Sequence, residues 1–296
     1  MNEYVANEKF SRQALAFGKE GQEKLSKIKV GIVGVGGIGS QVSQNLAYLG
    51  INNFVLIDDD LVEKSNLNRL VGALPDDAKN KKPKVDVAGK VIAGINPEAK
   101  IEKYLQNLRY AQVLDALAKT DYLFGCVDND SARLILSELS SAYEIPLIDS
   151  AFEIRVKDHK IIDFGGRVVV ACPGDFCLLC ANQIDLKTAK IELESPPERV
   201  FREKHGYGLD DAVTAPSVIS LNTIMAGIAV TEFLVTVVDI RPSYRMITYK
   251  GMRGIVTISR DLKKQNCIVC NSLVGLRESA DIKRYIQTEL PKDLPA

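Results

Sequence analysis

Ile28-Lys-Val-Gly-Ile-Val-Gly-Val-Gly-Gly-Ile-Gly39 is the stretch whose reading decides the fold. Ile28 to Val33 is a short apolar run rich in β-branched residues, which predicts a strand. It ends in Gly34-Val-Gly-Gly-Ile-Gly39, and Ser40 to Leu49 reads as a helix. Gly34, Gly36 and Gly39 fit G-x-G-x-x-G, directly after a strand and directly before a helix. Glycine lets the backbone turn sharply there and lets phosphates approach the N–H groups at the positive helix end. A second strand over Asn53 to Ile57 ends in Asp58-Asp59-Asp60. Asp58 follows Gly39 by 19 residues, the distance at which a strand-end carboxylate accepts both ribose hydroxyls. A Walker A loop is excluded, because Gly39 is followed by Ser40 and Gln41 rather than by Lys and Ser or Thr.

Working outward, the rhythm continues. Helices are expected at about 80–94, 110–118 and 130–143, and strands at about 100–105, 121–127 and 146–151. This predicts an α/β fold, a Rossmann-like, mostly parallel sheet covered on both faces. A polar helix over 8–25 precedes it. After Ser150 the pattern changes. Ile154 and Val156 alternate with charged residues, and with the run Val168 to Val170 they suggest antiparallel strands added to the sheet. A charged, irregular stretch from Cys180 to Ala212 reads as a functional loop or a disordered one. An apolar helix at about 216–238 and strands near 244–250 and 254–259 follow. One domain over 1–273, its nucleotide-binding part at about 26–150, with a peripheral polar tail over 274–296, is the expected organisation.

The 296 residues are 46% hydrophobic and 26% charged, which excludes a disordered or fibrous chain. The 38 basic residues balance 38 acidic ones, so no overall basic charge suggests a nucleic-acid partner. Met1 to Arg12 is polar, without the apolar core of a leader. The run Val218 to Val238 is interrupted by Ser220, Asn222 and Glu232, among others, and reads as a core helix rather than a membrane span. A soluble, cytoplasmic protein with no membrane partner is expected.

Which nucleotide is decided by charge. Beyond Asp58, the chain supplies Asp60, Asn66, Asn68, Arg69 and then Lys84. Two cations aimed at one nucleotide suit a triphosphate, whose leaving pyrophosphate needs neutralising. Asp128-Asn129-Asp130, at a later strand end, offers a hard carboxylate ligand for Mg²⁺. ATP is therefore expected rather than NAD. The six cysteines include two C-x-x-C pairs, Cys177/Cys180 and Cys267/Cys270, separated by 86 residues. Four thiolates in that pattern match a closed, structural tetrahedral Zn²⁺ site. Cys126 and Cys172 read as inert, and His159 and His205 as surface residues.

With these residues in place the chain resembles the MoeB/ThiF/HesA family, relatives of the ubiquitin-activating enzymes. Ser11-Arg12-Gln13 resembles its N-terminal S/N-R-Q signature, and Gly34 to Gly39 its G-x-G-G-L-G loop. Asp58-Asp59-Asp60 with Val62 to Arg69 resembles D-x-D-x-V-x-x-S-N-L-x-R-Q, Pro83-Lys84-Val85-Asp86 resembles P-K-x-E, and Asp128-Asn129 the D-N element. Both C-x-x-C pairs fall where the family keeps its zinc. The resemblance covers roughly residues 8–273. It implies that Asp58 binds ribose, that the cofactor-binding loop of Gly34, Gly36, Gly37 and Gly39 turns its backbone around Gly36 to Gly39 to the α-phosphate side, and that Asn66, Arg69 and Lys84 hold phosphates. It further implies that Asp128 holds Mg²⁺, that Asn129 helps to bind the nucleotide, and that Arg12 reaches the nucleotide of the neighbouring subunit in a homodimer. The catalytic set would be Arg12, Arg69, Lys84 and Asp128. The implied reaction is ATP-dependent adenylation of the C-terminal carboxylate of a small ubiquitin-like β-grasp carrier ending in Gly-Gly, for sulfur-carrier activation or a bacterial-type conjugation pathway.

The chain departs from the family pattern at three places. Leu70 stands where Gln usually follows the Arg, and Lys81 where a Gly is common. No cysteine lies between Cys180 and Cys267, so the crossover loop, about 181–215, lacks a thioester nucleophile. The competing readings are an NAD-dependent oxidoreductase and a non-catalytic subunit of a heterodimeric activating enzyme. The retained Arg69, Lys84 and Asp128 argue against both.

Overall fold

The computed structural model describes residues 8–195, 198, 216–260 and 262–286. Eight strands form one sheet in the order β3-β2-β1-β4-β5-β6-β7-β8. Strands β1 (Lys29–Val33), β2 (Asn53–Ile57), β3 (Lys100–Tyr104), β4 (Tyr122–Gly125) and β5 (Leu147–Lys157) run parallel. Strands β6 (Lys160–Ala171), β7 (Met246–Lys250) and β8 (Ile255–Ile258) extend it antiparallel from β5.

The parallel strands read as continuous apolar runs because both faces are covered. Ile32, Phe54, Leu56 and Phe124 turn to one side, where they meet α2 (Gly37–Leu49), α4 (Lys84–Ile95) and the long helix α8 (Ile219–Val237). Val33, Val55, Ile57 and Leu123 turn to the other, beneath α5 (Ala111–Leu117) and α6 (Asp130–Tyr143). Helix α8 is long and apolar enough to cross a membrane by length and composition. Here it is a core helix that packs on α2, β5 and β6. Its buried Glu232 is bonded by Arg241 at 2.6 Å and by the Tyr244 N–H at 3.0 Å, so the charge is paired rather than stranded.

Three expectations are corrected in detail. The N-terminal helix, α1 (Ser11–Lys27), breaks at Phe17 and Gly18, where Gly18 takes φ +75° and Phe17 leaves the helical region. The helix expected at 80–94 starts only at Lys84, as α4, and a short unexpected helix, α3 (Pro75–Lys79), precedes it. Pro83 separates them, since it donates no N–H and restricts the residue before it, and Lys81 turns left-handed with φ +50°. That backbone explains why a glycine suits this position better than the lysine found here. The strand expected to end near 151 instead runs through Lys157 and returns as β6 across a two-residue turn. Asp158 and His159 both take positive φ there, the geometry that matches hairpin twist.

The charged stretch after Cys180 contains helix α7 (Leu186–Glu192), capped by the Asp185 carboxylate. Residues 196–197 and 199–215 of the loop, Pro196, Pro197, His205 and Gly208 among them, lie outside the described residues. The expected tail begins with two short 3-10 turns that are docked on the domain. Ala280 and Ile282 are buried, and Arg284 and Tyr285 hydrogen-bond Glu138 of α6 at 2.5 and 3.0 Å.

Phe233 of α8 is fully buried, with Tyr122 edge-on at 5.0 Å and Phe124 at 5.6 Å between ring centroids. Phe233→Ala should cost about 3–5 kcal/mol of unfolding free energy, read as a lower denaturant midpoint at unchanged slope. A shift below about 1 kcal/mol would mean that the α8 seam is not a stability centre.

Candidate active site

The parallel strands deliver their carboxyl ends to one edge of the sheet, where ligands bind in such folds. The turn after β1 is held by two constraints. Gly34 has φ +82°, and a Cβ there would meet the Cys126 carbonyl at 2.6 Å. Gly39 packs its α-carbon directly on the Gly34 carbonyl, so no side chain fits. Around Gly36 space is open, and the N-terminus of α2 faces it. Gly39 itself is buried behind the turn: it closes the loop rather than facing the cavity.

A cavity of about 770 Å³ lies over this turn. Gly34, Gly36, Gly37, Asp58, Asp60, Asn66, Arg69, Lys84, Asp128 and Asn129 all line it, so ten of the residues expected from sequence converge on one space. Asp58 accepts the Val35 N–H at 2.8 Å and the Asp60 N–H at 2.9 Å, one on each carboxylate oxygen. Burial raises its pKa, while Lys84 and these two hydrogen bonds act the other way. Each oxygen keeps a lone pair for a further donor. Lys84 Nζ sits 2.6 Å from Asp60 Oδ2. Arg69 leans on the Ser65 carbonyl and on Asn68 Oδ1, and Asn66 caps its own turn by accepting the Glu63 N–H at 3.0 Å.

Asn129 and Asp128 separate in role. Asn129 is the N-cap of α6, its Oδ1 accepting the Ala132 N–H at 2.8 Å. Asp128 is exposed and lines both this cavity and a larger cleft of about 1370 Å³. That cleft runs from Asp128 across the face of β5, β6 and β7, walled by residues 182–187. Arg12 is exposed on α1 and is absent from the lining of either space. Leu70 is 4% exposed and packs with Val62, Ala78 and Val87, a core role in place of a polar one.

Sequence reasoning missed Arg133, Asp149 and Arg167. Arg133, one helical turn into α6, lines both spaces and donates to the Val127 carbonyl at 2.8 Å. Its i+4 spacing from Asn129 was the available signal. Asp149 and Arg167 carried none, because their pairing is made by the β5–β6 register rather than by proximity in sequence.

Beneath α6 the four cysteines of the two C-x-x-C pairs are brought together and buried, with their sulfurs all within 4.8 Å of one another. Cys177 stands 3.8 Å from Cys180 and 3.4 Å from Cys267, and Cys180 3.8 Å from Cys270. Tetrahedral thiolates about 2.3 Å from a zinc ion lie about 3.8 Å apart, so the donor set fits that metal. The Lys264 N–H on Cys180 Sγ at 3.4 Å supplies outer support. Neighbouring thiols that donate to Cys177 lower its pKa, whereas burial raises that of Cys267. The other two cysteines are poor nucleophiles, because burial raises both Cys126 and Cys172.

The sequence model of the ThiF family matches residues 10–269. The SAMP-activating enzyme E1 of Haloferax volcanii is 32% identical over 163 residues, 55% of this chain and 56% of that protein. The molybdopterin-synthase adenylyltransferase of Escherichia coli is 36% identical over 180 residues, 60% of this chain and 68% of that one. The chain thus spans about half to two thirds of the length of these relatives. Among solved structures, E. coli MccB with ATP superposes with a TM-score of 0.69 at 20% identity, covering 91% of this chain and 76% of that one, which shows the shared fold.

Elemental analysis of the purified protein should find one zinc per chain. Cys177→Ser or Cys270→Ser should lose the metal and lower the melting temperature; a folded, metal-free wild type would refute the site.

Proposed function

From the premise that the chain belongs to the ThiF family, we propose that it adenylates the C-terminal carboxylate of a small ubiquitin-like β-grasp carrier ending in Gly-Gly, releasing pyrophosphate. The observation that carries this reading is the seam between the two spaces. A nucleotide-sized cavity and an open cleft meet at Asp128 and Arg133. One holds ATP, and the other admits an extended chain terminus over the small floor residues Ala151 and Gly165.

In this arrangement Asp58 receives the ribose hydroxyls on its free lone pairs. The N–H groups of the Gly34–Gly39 turn, at the start of α2, meet the phosphates. Arg69, Asn66 and Lys84 hold the β- and γ-phosphates, with Lys84 exchanging Asp60 for phosphate oxygen. Asp128 would hold Mg²⁺, which would supply charge neutralisation when bound. The carrier carboxylate is already ionised at pH 7 and needs no base. Its oxygen attacks the α-phosphorus, an acyl–phosphate bond forms as the bond to pyrophosphate breaks, and alignment and charge stabilisation carry the step. Arg12, exposed and absent from the lining of its own chain's cavity, is assigned to the nucleotide of a second copy in a homodimer. The raised thiols of Cys126 and Cys172 favour release of a non-covalently bound acyl-adenylate over a thioester. A zinc ion held by all four thiolates would tie the late segment 267–270 to the 177–180 turn and would leave no open position for chemistry.

Intact-mass analysis of Gly-Gly-ending carriers, incubated with the protein, ATP and Mg²⁺, should show one carrier gaining AMP without a reductant-sensitive enzyme adduct. A thiol-sensitive adduct on the enzyme would overturn the non-covalent assignment. Asp128→Ala should slow ATP–pyrophosphate exchange by about 10²–10³ while leaving the circular dichroism spectrum intact. For Arg12, mixing inactive Arg12→Ala with inactive Asp128→Ala should restore exchange through heterodimers that carry one intact site. Full activity of Arg12→Ala alone removes the cross-subunit role.

A further inference from the structure

Asp149, at the end of the parallel part of β5, is fully buried. Its Oδ1 accepts from Arg167 Nη1, and Arg133 Nε stands 3.8 Å away. Its Oδ2 lies over the Gly125 α-carbon, where a Cβ would approach to 2.7 Å, and has no hydrogen-bond partner among the described residues. A buried carboxylate is costly unless paired, so this one fixes the guanidinium it holds. Arg167 is fixed from a second side too, because its Nε donates to Gln183 Oε1. Gln183 in turn bonds the Ala181 carbonyl at 2.8 Å, in the turn that carries Cys177 and Cys180. The guanidinium is therefore tied to the β5 strand end and to the cysteine turn at once. Among the described residues Nη2 alone of its three nitrogens has no partner, in a side chain that keeps 12% of its surface open. Arg167 lines the cleft beside Ala151, its cross-strand neighbour, which also lines the nucleotide cavity.

We propose that Arg167 is a specificity-determining residue of this reaction, donating from Nη2 to a backbone carbonyl in the last peptide units of the incoming chain. The inference rests on the carrier reading above. The charge balance gives the ligand class. Asp149 offsets the positive charge of Arg167, and Asp130, 3.4 Å from Arg133 Nη1, offsets that of Arg133, so the site acts as an oriented donor more than as an anion trap. An oriented donor favours a neutral peptide carbonyl over an acidic side chain. A carbonyl also suits a terminus of glycines, which offers backbone and no side chain. Asp149 and Gln183 are then positioning residues, which act through Arg167 without touching the carrier.

The experiment uses the carrier that gains AMP above, semisynthesised in two forms: the native one, and one whose last peptide bond is an ester, a weaker acceptor. The wild type should need about tenfold more of the ester form for half-maximal pyrophosphate exchange, the size expected when a hydrogen bond to a charged donor weakens. In Arg167→Lys the two forms should converge to within about twofold, with the ATP dissociation constant unchanged, because the lysine keeps the charge and loses the fork. If Arg167→Lys does not fold, Asp149→Asn/Arg167→Gln removes both buried charges together and should give the same convergence. Equal use of both forms by the wild type, or an undiminished preference for the native form in a folded variant, overturns the proposal. Absence of carrier-dependent exchange in the wild type overturns the carrier reading instead, and the assignment of Arg167 falls with it.

Discussion

The nucleotide end of the molecule depends on one hydrogen bond, from the Val35 N–H to the Asp58 carboxylate at 2.8 Å. It fastens the turn after β1 to the end of β2, and a second bond from the Asp60 N–H orients the same carboxylate. The turn can come so close only because Gly34 takes a left-handed backbone and Gly39 presents no side chain to the Gly34 carbonyl. Tight β1–α2 packing, an open space at Gly36 and an aimed carboxylate thus follow from one local arrangement. Burial of Asp58 opposes its ionisation, and Lys84 and the backbone donors counter that. The site sets its charge against its own desolvation, as ligand-binding carboxylates commonly do.

A second set of constraints builds the other side of the seam. The four cysteines join a turn at 177–180 to a segment at 267–270, and both sit in the core beneath α6. From that turn the chain runs directly into the wall of the cleft, with Gln183 on Arg167 and Lys264 Nζ on Asn182 Oδ1 at 2.6 Å. Glu192 of α7 then reaches the first turn of α6, accepting the Ser131 N–H at 2.6 Å. The wall is therefore held at both ends, by the cysteine turn and by the same helix start that carries Asp128 and Asn129. A metal held by these four thiolates would brace the cleft as well as the core.

The antiparallel half gives the fold an open cleft beside the cavity at the parallel strand ends. β5 is parallel to β4 at its start and continues as the first strand of a hairpin with β6. Its face passes without a break from the edge where β1 and β4 end to the open cleft. Small residues at Ala151 and Gly165 keep the floor low, while charged groups stand along the sides.

Much of this was written in local sequence. Gly34 to Gly39, the acidic end of β2, the β-branched runs and the paired cysteines each declare a local geometry, and residues sharing one turn or strand end are fixed by short-range sterics. Hence the strand over Asn53 to Ile57 and the helix from Asp130 to Tyr143 fall where the pattern places them. The tertiary structure alone decided the rest. Lys84 met Asp60, Leu70 became core, Asn129 became a cap, and the segment near 280 docked on Glu138. Above all, Arg167 and Asp149 came together 18 residues apart in the chain. Antiparallel register pairs residues by their sum about a turn, so a side chain's partner depends on where the hairpin reverses and on which face is buried. Neither is carried by the identity of the two residues themselves.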